Sequence, residues 1–279
     1  MDSVEAAIYG QVKAWSSLTA SHTAFRGDPT LWTAAFNANF RVLEETPDFI
    51  FVDKPAPLQV HPAKPGNPPT LLDALNALLA YDLLNGARLS IINRLDRETS
   101  GVVLVAKNAA AASAFGKAMM SRKVEKEYAA LVWGWPERDQ FTVDAPLIRQ
   151  GNVGNTAIYL KQIIHRSGAR AVTAFEVLTR SQHRGREFAL LRARPHTGRL
   201  HQIRAHLQHA GHPVVGDKIY GPDERCYLEF IKTGWTSSLA RRLVLPRHAL
   251  HSQRLAVFSE PFGKVEAEAP LPGDFLQFN

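Results

Sequence analysis

One cysteine in 279 residues, Cys226, rules out an intrachain disulfide and any multi-cysteine zinc or iron–sulfur site. No apolar run approaches the length that crosses a bilayer. The first ten residues carry acids rather than the basic head of a leader, so the chain reads as a soluble cytoplasmic protein with no membrane partner. No internal repeat or low-complexity tract divides it. Negative charge is the scarcer sign, with 26 acids against 33 lysines and arginines and a formal net charge of +7. The imbalance is concentrated. Arg184, Arg186, Arg192, Arg194, Arg199 and Arg204 crowd between His183 and His206 with only Glu187 among them, which aims a positive field at phosphates. Histidines recur from His196 to His212, but there is no HExxH pattern and the nearest acid is Asp217, so neither a metal nor any other cofactor is expected.

Hydrophobic residues make up 45% of the chain, enough for a sizeable core. Helical spacing over residues 4–15 and 31–40 marks an N-terminal helical extension, 1–41, ahead of a larger domain, 42–279. Within that domain Thr70 can cap a helix over 71–84 and Asn108 another over 109–120. The second half is strand-rich, with strands expected at 158–164, 171–179 and 187–193, followed by a helix over 198–210. Toward the end, Leu250 and Phe258 read as core residues of a closing strand. Interspersed strands and helices of this kind suit an α+β fold.

The most informative stretch is Asn93-Arg-Leu-Asp-Arg-Glu-Thr-Ser-Gly, just ahead of the apolar run at 102–106. In a strand-like segment Arg94 and Asp96 share a face, and an adjacent arginine favours the ionised carboxylate, a nucleophile poised at neutral pH. The string resembles the RLDxxTSG signature of the RluA-like RNA pseudouridine synthases. Further segments match the same family in order. Asp48-Phe-Ile-Phe-Val-Asp-Lys-Pro runs into Leu58-Gln-Val-His-Pro, placing Lys54 at a strand end. Lys126-Glu-Tyr-Ala-Ala-Leu-Val-Trp-Gly is similar to KxYxALVxG and supplies Tyr128. Thr197-Gly-Arg-Leu-His-Gln-Ile-Arg-Ala-His-Leu and Gly211-His-Pro-Val-Val-Gly-Asp-Lys-Ile-Tyr-Gly are similar to TGRTHQIRxHL and GHPLxGDxxYG. Asn93 stands where relatives often have His and Leu200 where Ser or Thr is frequent, departures that bear on substrate contacts. The N-terminal segment does not look like the S4-type RNA-binding domain that precedes many relatives.

The resemblance implies a pseudouridine synthase catalytic fold, a long, mixed and mainly antiparallel sheet with flanking helices and a central cleft. It also implies a function, isomerisation of uridine to pseudouridine in structured rRNA or tRNA, with no obligate protein partner. Asp96 becomes the catalytic carboxylate, Arg204 the arginine that pairs with it, and Tyr128 a phenol that stacks on the base and takes part in proton transfer. Arg94 is expected to fill the place of the extruded base. Lys54, Arg192, Arg194, Arg199, His201 and Gln202 are expected among the substrate contacts. Two other classes fit parts of the pattern. A noncatalytic RNA-binding or ribosome-assembly module would keep the fold without needing Asp96 or Tyr128. A nucleosidase-type hydrolase would attack C1′ but usually needs a second acid, for which only Glu98 is at hand.

Overall fold

The structure is a computed structural model that describes residues 40–61 and 70–278. The expected helices over 4–15 and 31–40 lie outside the described residues, save for Phe40. In chain order the described residues form β1 (Arg41–Glu45), β2 (Phe49–Lys54), α1 (Leu71–Leu78), α2 (Ala80–Leu84), β3 (Ser90–Ile91), β4 (Ser100–Ala106), α3 (Ala109–Met120) and β5 (Val124–Trp133). There follow β6 (Gln140–Asp144), β7 (Leu147–Arg149), β8 (Gln162–Ile164), β9 (Val172–His183) and β10 (Arg186–Pro195). The chain ends with α4 (Gln202–His209), α5 (Arg225–Thr233), α6 (Ser237–Leu243), β11 (Leu250–Ser259), β12 (Gly263–Glu268) and α7 (Gly273–Leu276). It divides into two compact units, one running to Val124 and including Ala256–Glu268, the other Glu125–Leu255 with Ala269–Asn279.

In the first unit β2 lies antiparallel between β1 and β4, with Lys54 opposite Gly101, and β3 pairs with the end of β4. Residues of β2 alternate between two buried faces, which is why the strand is apolar almost throughout. Ile50 and Val52, with Val103 and Val105 of β4, pack against Leu71, Leu75 and Leu79. Phe49 and Phe51 meet edge to face, and Phe49 meets Phe115 of α3 the same way. Both predicted caps form. Thr70 and Asp73 make a reciprocal capping box, and Asn108 accepts from the Ala111 N–H at 2.9 Å. The helix expected over 71–84 breaks at Leu79 into α1 and α2.

In the second unit β5, β10, β9 and β6 form an antiparallel run, with Ala193 opposite both Tyr128 and Phe175, and β7 pairs separately with β8. Ile203 and Leu207 of α4, Leu250 and Phe275 fill its core. Phe258, expected in the core, is half-buried. Only Gln162–Ile164 of the strand expected over 158–164 is extended. Two helices, α5 and α6, were not anticipated. Their signals were present in Gly234, which ends α5 at φ +73°, and in Thr236, whose side chain caps α6 by accepting from Leu239 N–H.

Candidate active site

The Arg94–Asp96 stretch is a loop rather than the strand its spacing suggested. After β3 the chain pairs once more, Ile92 N–H donating to Leu104 O at 2.9 Å, then leaves the sheet and turns so that Thr99 N–H donates to Asp96 O at 3.1 Å. Asn93 takes over the ladder with its side chain. Its amide donates to Val102 O at 3.0 Å and its oxygen accepts from Leu104 N–H at 2.8 Å, all in a buried position. Leu95 turns into the core of the unit, leaving Arg94 exposed and Asp96 half-buried. The motif ends in glycine because Gly101 holds a φ of +108°, open to a residue without Cβ.

Lys54 braces this loop from behind. It is 0% exposed. Its ammonium donates to the carbonyls of Leu58 (2.8 Å), Pro55 (3.0 Å) and Arg97 (3.3 Å), and Arg97 O also accepts from Leu58 N–H at 2.9 Å. A buried cation persists only where such oxygens replace its water. The consequence is mechanical, since the Lys-Pro turn and the Asp96 turn are fastened to one another.

In the second unit Tyr128 sits on β5 with its ring packed against the core. Lys126 lies two residues earlier on the same side of the strand, its pKa pushed down by burial. Glu127 points the other way and meets Arg192 at 3.1 Å and Arg194 at 3.6 Å. Glu176 of β9 takes the same two arginines at 2.9 and 3.3 Å, and Arg254 joins Glu125 and Glu127 at 3.2 and 3.6 Å. Three arginines are thereby interleaved with three glutamates.

The helix expected over 198–210 starts later and Thr197 stands outside it. The Thr197 hydroxyl donates to Gln202 Oε1 at 2.7 Å and accepts from Val172 N–H at 3.0 Å, His201 adopts φ +52°, and α4 begins only at Gln202. Gln202 Oε1 also accepts from Arg199 N–H, while its amide donates to Val172 O and Thr173 Oγ1. His201 Nδ1 lies 3.0 Å from the Tyr220 hydroxyl, which accepts from Gln162 N–H. His206 is held between Thr173 Oγ1 at 2.9 Å and Ala145 O at 3.0 Å. A carbonyl only accepts, so Nε2 carries the proton, and burial depresses the imidazole pKa.

Arg204 of α4 is almost wholly buried, and its fork is gripped by Asp217, Nε to Oδ2 at 2.6 Å and Nη2 to Oδ1 at 2.9 Å. Its guanidinium carbon lies 4.9 Å from the centroid of the Tyr220 ring. Asp217 Oδ1 also accepts from the N–H groups of Ile219 and Tyr220 at 2.9 and 3.0 Å. Burial alone would raise this carboxyl, but the Arg204 guanidinium outweighs it and holds the pKa far below the usual range. The turn that delivers Asp217 needs its glycines. Gly216 has φ +77° with the Arg247 carbonyl where a Cβ would stand, and a Cβ on Gly221 would strike the carbonyl of Asp217.

Residues 48–209 match the RNA pseudouridylate synthase family. The chain belongs to that family. It is 34% identical over 244 residues to ribosomal large subunit pseudouridine synthase D of Haemophilus ducreyi, covering 86% of this chain and 70% of that one. The enzyme of the same name from Escherichia coli is 33% identical over 244 residues, 85% of this chain and 68% of that one. The solved structure of human RNA pseudouridylate synthase domain containing 1 superposes with a TM-score of 0.64 at 27% identity, covering 84% of each chain. Human RNA pseudouridylate synthase domain containing 4 gives 0.64 at 25% identity, covering 88% of this chain and 93% of that one. The protein is thus an RNA pseudouridine synthase with an α+β fold, an isomerase that converts uridine in RNA to pseudouridine.

Within this synthase, several residues expected to touch substrate are placed otherwise. Lys54 faces inward and secures the Asp96 loop. Gln202 is buried and spends its amide on β9 and the turn before α4. Arg192 and Arg194 are engaged by Glu127 and Glu176 of the neighbouring strands β5 and β9. Arg199 is exposed and donates through Nε to Arg170 O at 3.1 Å. Among the described residues no helix is long and apolar enough to cross a membrane, and no three His, Cys, Asp or Glu side chains cluster at metal-binding distance. Sequence reasoning overlooked Asp217 as the partner of Arg204 and Asn93 as a clamp. Asp217 did stand in the GHPVVGD segment, as the one acid near the histidines.

Proposed function

We propose that this synthase modifies a uridine in structured RNA of the large ribosomal subunit, with Asp96 as its catalytic carboxylate and residues 42–279 as the catalytic domain. The relatives' names, which point to the large ribosomal subunit, and the net charge of +7 support the substrate. The observation that carries the residue assignment is the bracing of the Asp96 loop. Two buried polar side chains, Asn93 and Lys54, and the half-buried Leu95 packed on the core hold a half-buried carboxylate beside an exposed arginine. Fixed geometry of this kind is what a reacting group needs.

A stacked uridine cannot present its glycosidic bond to a side chain. Leaving the stack costs about a few kcal/mol, which Arg94 offsets by occupying the vacated space. Asp96 then acts on the ribose or the base, the N1–C1′ bond breaks, the uracil turns, and C5 bonds to C1′ while C5 gives up its proton and N1 gains one. Tyr128 supplies a ring for the base and a hydroxyl for proton transfer, and Arg204 favours the ionised carboxylate.

Asp96→Asn is nearly isosteric and removes the anion. The variant should fold and bind RNA yet form almost no pseudouridine, read by carbodiimide mapping of ribosomal RNA from cells that lack the gene and carry the variant. Full modification by the folded variant would end the assignment of Asp96.

A further inference from the structure

Three arginines of the second unit without an ion pair among the described residues gather near the Trp133 end of β5. β9 and β10 are joined by a two-residue turn, His183 facing Arg186, with Arg184 and Gly185 both at positive φ, +49° and +73°. Turns of this type favour Asn-Gly, so a long cation at Arg184 is kept against the backbone's preference. Arg186 reaches over Trp133, its guanidinium carbon 5.6 Å from the ring centroid, and donates to the carbonyl of Arg241 at 3.2 Å. That bond sets the basic end of α6 against the hairpin. Arg242 is taken up by Asp223 and Glu229, but among the described residues Arg184, Arg186 and Arg241 form no ion pair, and all three are exposed. Glu187, the nearest acid in sequence, alternates to the other face of β10 from Arg186. Trp135 is 40% exposed, with its indole N–H locked to Ser181 O (3.1 Å) and Phe188 O (3.0 Å), the residues that flank the hairpin turn.

We propose that the β9–β10 turn, the end of α6 and Trp135 form a second RNA-binding surface. It takes a single-stranded segment of the substrate, with Arg184, Arg186 and Arg241 on phosphates and Trp135 under a base. The strand rise places it roughly 17 Å along β5 from Tyr128. A fixed, half-exposed indole beside uncompensated cations is the combination that single-stranded nucleic acid requires. An acidic protein would use the cations but not the locked ring. The identity of the nucleic acid rests on the RNA-modifying function above.

The test uses the full chain and a fluorescein-labelled 20-nucleotide oligouridylate, with anisotropy followed against salt. Arg184→Ala combined with Arg241→Ala should weaken binding about tenfold and lower the slope of log affinity against log salt by about 1.4, two single-strand contacts' worth. Trp135→Ala should weaken binding several-fold at unchanged slope, since stacking releases no counterions. On unmodified ribosomal RNA transcripts these variants should raise KM and leave kcat alone. Unchanged affinity and slope in the double variant, with an active parent enzyme, would overturn the surface. A fall in kcat at unchanged KM would overturn it as well, by assigning the cluster a structural part. A parent enzyme that forms no pseudouridine on any such transcript would instead sink the substrate assignment.

Discussion

Neutralising Asp217 should separate the energetics of the second unit from its chemistry. The side chain is 0% exposed and accepts hydrogen bonds from Arg204 Nε and Nη2 and from the Ile219 and Tyr220 N–H groups. In Asp217→Asn, Oδ1 survives to accept from the two backbone groups, so the turn keeps its anchor. What is lost is the Asp217 charge facing a buried guanidinium, and removing one partner of such a pair costs about 3–5 kcal/mol. For a chain whose total stability is of the order of 5–15 kcal/mol that loss is severe, equivalent to a fall in Tm of roughly 6–20 °C. Adding Arg204→Met removes the buried cation and leaves the introduced amide bonded to the turn, so the double variant should regain at least about half of the lost stability, as apolar replacements of buried pairs do. It should nonetheless remain inactive, because the guanidinium is gone. Urea denaturation followed by tryptophan fluorescence reads the stabilities, and carbodiimide mapping reads the product. A single variant destabilised by less than about 1 kcal/mol, or a double variant no more stable than the two losses added together, would refute the reasoning.

Acid should unfold the protein from an unusually high pH. Burial holds His206 and His248 below the ordinary histidine pKa, so the unfolded chain takes up protons first. Their contribution is complete above about pH 6.5 and declines as pH falls through that value toward the depressed folded ones, by up to about 1.4 kcal/mol per pH unit for each. Denaturation midpoints at pH 7.5 and 5.5 check this, and equal midpoints would dismiss it. Asn93→Leu leaves the buried Leu104 N–H without its acceptor and should cost about 1–3 kcal/mol while slowing turnover, measured by denaturation and product formation together. Tyr128→Phe keeps the ring against the core and deletes the hydroxyl, so stability and RNA affinity should hold while kcat drops about a hundredfold or more. Near-normal turnover would reduce Tyr128 to a packing residue.

Local signals were legible wherever neighbours in sequence were also partners in space. Thr70 and Asn108 announced their helices because a cap bonds to an N–H three residues on. The family was legible for a related reason, since its motifs are contiguous strings that coincide with β2, the Asp96 loop, β5 and α4. The charge pattern misled because it counted along the chain. Arg192 and Arg194 look uncompensated until β5 and β9 bring Glu127 and Glu176 alongside, because antiparallel pairing makes neighbours of residues well separated along the chain. The same holds for Lys54, expected at a strand end among the substrate contacts, whose buried ammonium is held in part by the Arg97 carbonyl 43 residues away. Motif strings carried the resemblance to the family, and residue types and spacing carried most of the elements. Which charges stay at the surface and which are paired or held inside the fold was decided by tertiary structure, because the free energy of a charge is set by what surrounds it and not by what precedes it in the chain.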